Sequence, residues 1–327
     1  MPTGARLKGD TLKLEVYHFP KKLNNILHSP HMISIAMTTF NGEKYIKEQL
    51  YSILNQTIHD FELVICDDAS SDNTTKIIQE TANHDKRIRL YVNPQNIGFK
   101  KNFEQAINLC KGEYIALSDQ DDIWKPNHLE LLFNIIGNKM VACGNSLFID
   151  EKNNILDMTL SHQEALDYFP DDDIERAYSL IFFRNPFQGA SMLIKKEFFK
   201  KALPIPEKFK FHDSWFAILS CFYGGLNYTQ EVITHYRQHS NNVTGNRKCQ
   251  RKSRLKHMIV SIIYQNFFQE RIYALQSIKN RVNTLTNRQL HFLNKAEDFF
   301  SRKKTIKGKI ANLFFSIYHF KKIYSCK

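Results

Sequence analysis

Three carboxylates, Asp119, Asp121 and Asp122, fall within four positions of "ALSDQDDIW", directly after a short apolar run. Like charges this close repel one another and are costly beside a core unless a cation or solvent answers them. A bound divalent cation is one answer and a solvated acidic turn opening a helix is the other; the segment by itself leaves both open. Other candidates stand elsewhere in the chain. Asp67 and Asp68 close "FELVICDD", where carboxylates can accept hydrogen bonds from a base imide N–H and ribose hydroxyls, or cap a following helix. Asp213 opens "HDSWFAILS", where it can take a proton from an attacking hydroxyl or serve as an N-cap. His239 in "YRQHSNN" can ligate Mn²⁺ when neutral or pair with phosphate when charged, and a solvated loop histidine fits equally.

The elements that must carry these groups repeat in a regular way. "MISIAMTT" is an apolar, β-branched run suited to a strand buried on both faces, and "NGEKYIKEQLYSILNQ" follows with helical spacing at Tyr45, Ile46, Leu50, Ile53 and Leu54. "FELVICDD" and "SDNTTKIIQETAN" repeat that strand and helix, as do "RIRLYVN" and "GFKKNFEQAINLC"; "GEYIALSD" is a fourth strand ending at the acidic cluster. Alternation on this scale predicts right-handed crossovers and a largely parallel sheet. Ligands of such sheets bind beyond the carboxyl ends of the strands. Thr38, Thr39 and Asn41, Asp67 and Asp68, Asn93 and Asn96, and Asp119 to Asp122 are all collected there. Beyond Asp150, "HQEALDYFPDDD" reads as a loop or short helix, "NPFQGASMLIKKEFFKKA" as a strand then a helix, "HDSWFAILSCFYGG" as a helix ended by glycine, and "VITHYRQHSNNVTG" as a last strand entering a loop.

A chain of 327 residues with 43% hydrophobic content can bury a full core. It has no apolar run long enough to span a bilayer, and its start shows no secretory leader. Six scattered cysteines form no CxxC pair, which disfavours a zinc knuckle or disulfide framework and suits a reducing cytosol. The net charge of +12 is uneven: from Arg247 onward there are 19 Lys/Arg against 3 Asp/Glu, leaving 26 against 30 before it. The basicity therefore belongs to the tail. Its blocks "RKCQRKSRLK" and "SRKKTIKGK" would suit nucleic-acid phosphates or an anionic leaflet. The apolar stretches "MIVSIIYQNFF" and "IANLFFSIYHF" between and after them favour a membrane surface over nucleic acid, with an ordinary solvated helical subdomain as the alternative.

The ordered set "ISIAMTTFNGEKYIKEQLYSILNQT", "ELVICDDASSDNT", "NIGFKKNFEQAI" and "YIALSDQDDIW" resembles the family 2 glycosyltransferases over roughly Ile33 to Gly245. Within that family, "DQDDIW" and "YRQHSNNVTG" look like bacterial rhamnosyltransferase-type enzymes of surface polysaccharide synthesis, of O-antigen or capsule. The resemblance implies a GT-A α/β fold at 32–245, a peripheral extension at 1–31 and a basic helical region at 246–327. It implies an inverting, metal-dependent transfer from a UDP- or dTDP-sugar to a glycan or lipid-linked acceptor, in the cytoplasm at the inner face of the membrane. It places Thr38, Asn41, Asp67, Asp68, Asn96 and Asp119 on the nucleotide, and Asp121 with His239 on Mg²⁺ or Mn²⁺. Asp213 stands where the family has its catalytic carboxylate, with His212 replacing the usual acidic neighbour. Gln188, Gly189, Ala190, His212 and Arg237 are expected around the donor and acceptor sugars. The rival readings are a sugar nucleotidyltransferase, whose Gly-rich basic N-terminal loop is missing, and a basic nucleic-acid-binding protein.

Overall fold

The computed structural model describes residues 33–163, 170–182, 185–240 and 265–301. The proposed extension before residue 32 and both basic blocks of the tail lie outside the described residues, as does most of its apolar sequence.

The four expected strands form as β1 (Ile33–Thr39), β2 (Phe61–Asp67), β3 (Ile88–Val92) and β4 (Tyr114–Ser118), with the expected helices α1 (Ile46–Leu54), α2 (Thr74–His84) and α3 (Phe99–Leu109) between them. All seven residues of β1 and of β2 are buried, so both faces select apolar side chains. Their parallel register brings Thr39 beside Asp67, and the β1–β4 register brings Met37 beside Ser118. The polar strand ends thus share one edge. Asp72 opens α2 by accepting the Thr74 N–H at 3.0 Å.

The second half completes one mixed sheet. β5 (Ile123–Trp124) and α4 (His128–Ile136) lead to the long β6 (Val141–Ile149), followed by β7 (Ile155–Thr159), α5 (Leu160–Gln163) and α6 (Asp173–Phe182). A 3₁₀ turn at Gly189–Ser191 precedes β8 (Met192–Lys195) and α7 (Lys196–Ala202). α8 (His212–Ser220), β9 (Leu226–Arg237), α9 (Gln265–Arg281) and α10 (Asn287–Ser301) complete the described elements. The sheet runs β3-β2-β1-β4-β8-β6-β9-β5, with β7 on β6. β8 is antiparallel to both neighbours, whereas β6 and β9 are parallel. The central β6 had no counterpart in the expected strands, because Gly144, Asn145 and Ser146 break its apolar run.

Each face of the sheet carries its own core. Ile35, Met37, Leu63 and Ile65 pack with Leu50 and Ile53 of α1, Ile78 of α2 and Leu129 of α4. On the other face Ala36, Val64 and Leu117 pack with Phe103 of α3, Phe198 of α7 and Trp215 of α8. Ala274, Leu275 and Ile278 of α9 and Phe292, Leu293 and Phe300 of α10 are buried in that same core. No helix among the described residues is long and apolar enough to cross a membrane.

Candidate functional site

The loops after β1 and β2 are laced together. Asn41 adopts φ 48° and Ala69 φ 63°, left-handed conformations that non-glycine residues take up rarely. The Asn41 N–H donates to Ser70 Oγ at 2.9 Å, and Asn41 Oδ1 accepts the Ser71 N–H at 2.8 Å. Thr39 Oγ1 and Ser70 Oγ donate to Asp67 Oδ2 at 2.7 and 2.6 Å, and the Ser70 N–H to Oδ1 at 2.8 Å. Asp68 accepts the N–H groups of Ile97 and Gly98 at 2.8 and 2.9 Å and the Asn93 amide at 3.1 Å, closing the loop that opens α3. Gly98, at φ 85°, supplies the backbone this closure requires.

Asp67 and Asp68, expected on the nucleotide, are therefore buried at 0% and 2% exposure and receive protein donors. Desolvated carboxylates need such partners, and at this edge the backbone supplies them. Thr38 lies at the same edge, nearly buried, while Asn96 is exposed and accepts the Gly98 N–H at 3.1 Å. Phe40, which the sequence reading passed over, stands 47% exposed here. The Gln120 side-chain amide clasps its backbone, accepting the N–H at 2.8 Å and donating to the carbonyl at 3.0 Å. An aromatic residue directly after a polar strand end was the available signal.

The acidic loop resolves into three different environments. Asp122 is wholly buried; its carboxylate accepts the Gln188 amide at 2.6 Å and the Arg237 backbone N–H at 3.1 Å. Burial, then Asp121 and Asp119, hold its pKa well above the usual carboxylate range. Asp119 is pushed up to about 8, first by removal from solvent, then by Asp121 and Asp213. Asp213, opening α8, thus lies within electrostatic reach of the acidic loop. Asp121 Oδ2 lies 2.8 Å from His239 Nε2, beside the Tyr45 ring. Among the described residues no three His, Cys, Asp or Glu side chains converge on one cation position. A pair such as Asp121 and His239 still suits Mg²⁺ or Mn²⁺, which commonly keep water and substrate phosphate in the remaining positions. The mutual repulsion of the three carboxylates is the local feature a dication would relieve.

Arg237, expected near the sugar, is 1% exposed and embedded beneath the loop. Its Nε donates to the Asp121 carbonyl at 2.8 Å, its guanidinium meets Glu48 at 2.6 Å and Asn153, and it lies over the Tyr45 ring. Gln188 also differs from expectation: its amide is engaged by Asp122 and by the Ser146 hydroxyl at 2.8 Å, so it braces the loop. Gly189 and Ala190 are buried in the 3₁₀ turn. The close approach that Gly189 permits is to His212, whose Nε2 would lie 2.5 Å from an added Cβ. His212 packs against Phe103 with ring centroids 4.2 Å apart, which removes it from a sugar-contacting position. Gly189→Ala is expected to cost about 1–3 kcal/mol by overpacking and to lower turnover by displacing α8; chemical denaturation and initial rates check both.

Two buried histidines make stability depend on pH. Burial pushes His212 down to about 4 and His128, stacked on Trp124 at 3.8 Å, down to about 3. Their folded pKa values lie below the unfolded value, so the unfolded chain takes up protons first as pH falls. Their stabilising contribution is complete above about pH 6.5 and falls by about 1.4 kcal/mol per pH unit for each histidine until its folded pKa is reached. Denaturation midpoints measured from pH 7.5 downward should therefore drop below pH 6.5, and less steeply in His128→Phe.

Comparison with known proteins identifies the family and agrees with the fold. The sequence profile of Glycosyl transferase family 2 matches residues 34–201. An uncharacterized glycosyltransferase of Haemophilus influenzae is 29% identical over 227 residues, 64% of this chain and 66% of that protein. The chondroitin synthase of Escherichia coli is 36% identical over 132 residues, 39% of this chain and 19% of the synthase. The chain thus spans only part of the length of these relatives. Among solved structures, S. aureus TarS in complex with UDP superposes with a TM-score of 0.55 at 16% identity, covering 83% of this chain and 71% of that one. The mannosyltransferase PcManGT from Pyrobaculum calidifontis, in complex with GDP-Man and Mn²⁺, gives 0.52 at 14% identity, covering 91% and 76%.

Proposed function

Because the chain belongs to glycosyl transferase family 2, we propose that it transfers a sugar from a UDP- or dTDP-sugar to a hydroxyl of a glycan or lipid-linked acceptor, with inversion at the anomeric carbon. The observation that carries this reading is the meeting, beyond the strand ends, of an acidic loop, His239 and the carboxylate of Asp213. Asp213 accepts the proton of the acceptor hydroxyl as its oxygen bonds to the anomeric carbon. The bond to the β-phosphate oxygen breaks on the opposite face, and the nucleoside diphosphate leaves with the electron pair. Asp121 and His239 would hold Mg²⁺ or Mn²⁺, which when bound supplies Lewis-acid stabilisation of the leaving diphosphate. Asp119 would reach the ribose or a water beside that cation. Phe40 offers an exposed face on which the base stacks, and Thr38, Asn41 and Asn96 line its pocket.

The chondroitin synthase relative supports a role in building a polysaccharide, and the "DQDDIW" and "YRQHSNNVTG" motifs favour a bacterial surface polysaccharide with rhamnose as one candidate sugar. The basic tail favours work at the inner face of the cytoplasmic membrane. A screen of UDP-, dTDP- and GDP-sugars with Mn²⁺, scoring free nucleoside diphosphate and the product anomer, tests the reading. Pyrophosphate release would indicate a nucleotidyltransferase instead, retained configuration would overturn inversion, and full activity after exhaustive metal removal would overturn metal dependence.

A further inference from the structure

Glu48 lies on α1, outside every expected site, with its side chain 46% exposed. It is nevertheless 2.6 Å from the guanidinium of Arg237, a charge only 1% exposed. A buried guanidinium needs a counter-charge, and losing one is strongly unfavourable. The acidic loop brings two further aspartates, Asp121 and Asp122, up to Arg237. Asp122 is engaged by Gln188 and by the Arg237 backbone, and Asp121 offers Arg237 its carbonyl while its carboxylate turns to His239. The charge of Arg237 is answered from α1, with Asn153 of the β6–β7 turn accepting a further guanidinium hydrogen bond.

We infer that Glu48 is a positioning residue that neutralises Arg237 and so keeps the Asp121 carboxylate available to a divalent cation. This rests on the metal-assisted reading above. Removing the Glu48 carboxylate takes one negative charge from beside the guanidinium, so the positive field of Arg237 at the acidic loop grows and opposes a second cation there. The effect expected for Glu48→Gln is a weakening of Mn²⁺ binding by about tenfold, the scale of one charge displaced by several ångströms at an effective dielectric of about 20. Asn153 sits at φ 67°, a conformation that Asp also tolerates. The pair Glu48→Gln with Asn153→Asp therefore returns a carboxylate to the same guanidinium and should restore Mn²⁺ affinity.

The test titrates Mn²⁺ into the full chain with UDP present and follows the free aqua-ion by electron paramagnetic resonance, alongside melting curves. The expected result is weakened binding in Glu48→Gln and recovery in the double variant. Equal binding in wild type and Glu48→Gln removes this inference alone, as does weakened binding that Asn153→Asp fails to restore. A wild-type chain that leaves the Mn²⁺ signal unchanged removes the metal reading and this inference with it. Loss of the folded state in both variants makes Glu48 a structural residue and overturns the assignment.

Discussion

Asp213→Asn should lower turnover by about 10²–10⁴-fold, the usual contribution of a general base, while nucleoside diphosphate binding changes little. The substitution preserves size and hydrogen-bonding reach but removes the basic carboxylate. Its surroundings should hold: His212 is wedged between Gly189 and Phe103, and the next helical turn is rooted by Trp215 and Phe216. The substitution removes the Asp213 charge, which after burial and Asp121 is the smallest of the causes that raise Asp119, so the acidic loop should be no less able to bind nucleotide. Steady-state rates with a saturating donor, paired with calorimetric titration of UDP, separate the two effects. A variant that loses UDP binding while its melting curve is unchanged would move Asp213 from the acceptor side to the donor side.

The second large effect concerns the C-terminal helices. Deleting residues 246–327 should abolish cooperative folding. Ala274, Leu275 and Ile278 of α9 and Phe292, Leu293, Phe299 and Phe300 of α10 are buried with Trp215 and Phe216 of α8. Each large apolar side chain of this set contributes about 1.5–3 kcal/mol, and their sum rivals the whole stability of a typical domain, about 5–15 kcal/mol. Arg281 adds polar ties, donating to the Ala202 carbonyl at 2.8 Å and lying 5.1 Å over the Trp215 ring. Circular dichroism melting and size-exclusion chromatography would report a broad, aggregation-prone species. A soluble truncated chain with a sharp transition would show that 32–245 stands as a separate domain. Among the described residues of this region the packing follows the apolar spacing of α9 and α10, which the charge asymmetry of the sequence does not reveal.

β1 and β2 were legible because a strand buried on both faces must be apolar at nearly every position, and β3 and β4 because they continue the alternation with the amphipathic helices α2 and α3. β6 was not, since the side chains of its polar centre reach partners far off in the sequence: Asn145 bonds Ser161, and Ser146 bonds Gln188 and Ser191. The same reason governs the candidate site. Asp119, Asp121 and Asp213 were visible as carboxylates with few reasons to be where they are. The inward turn of Asp68 depends on the N–H groups of Ile97 and Gly98, and no spacing rule reveals such a pairing. Glu48 read as an ordinary helix-surface residue because its partner lies in another element. Gln188 and Arg237 were noticed as polar residues near the expected sugar, but their engagement with the acidic loop exists only after β6, β8 and β9 have joined the sheet.

That last dependence has a consequence for biosynthesis. Glu48 and Arg237 are 189 residues apart, and His239 follows Arg237 closely. At ribosomal rates of about 5–20 residues per second, roughly ten to forty seconds separate the synthesis of one partner from the other. In the later part of that interval, once Asp122 has been made, the nascent chain displays its acidic loop but has neither the arginine that braces it nor the imidazole beside Asp121. β9, which must enter between β6 and β5, is therefore the element whose arrival sets Arg237 beneath the acidic loop and against Glu48.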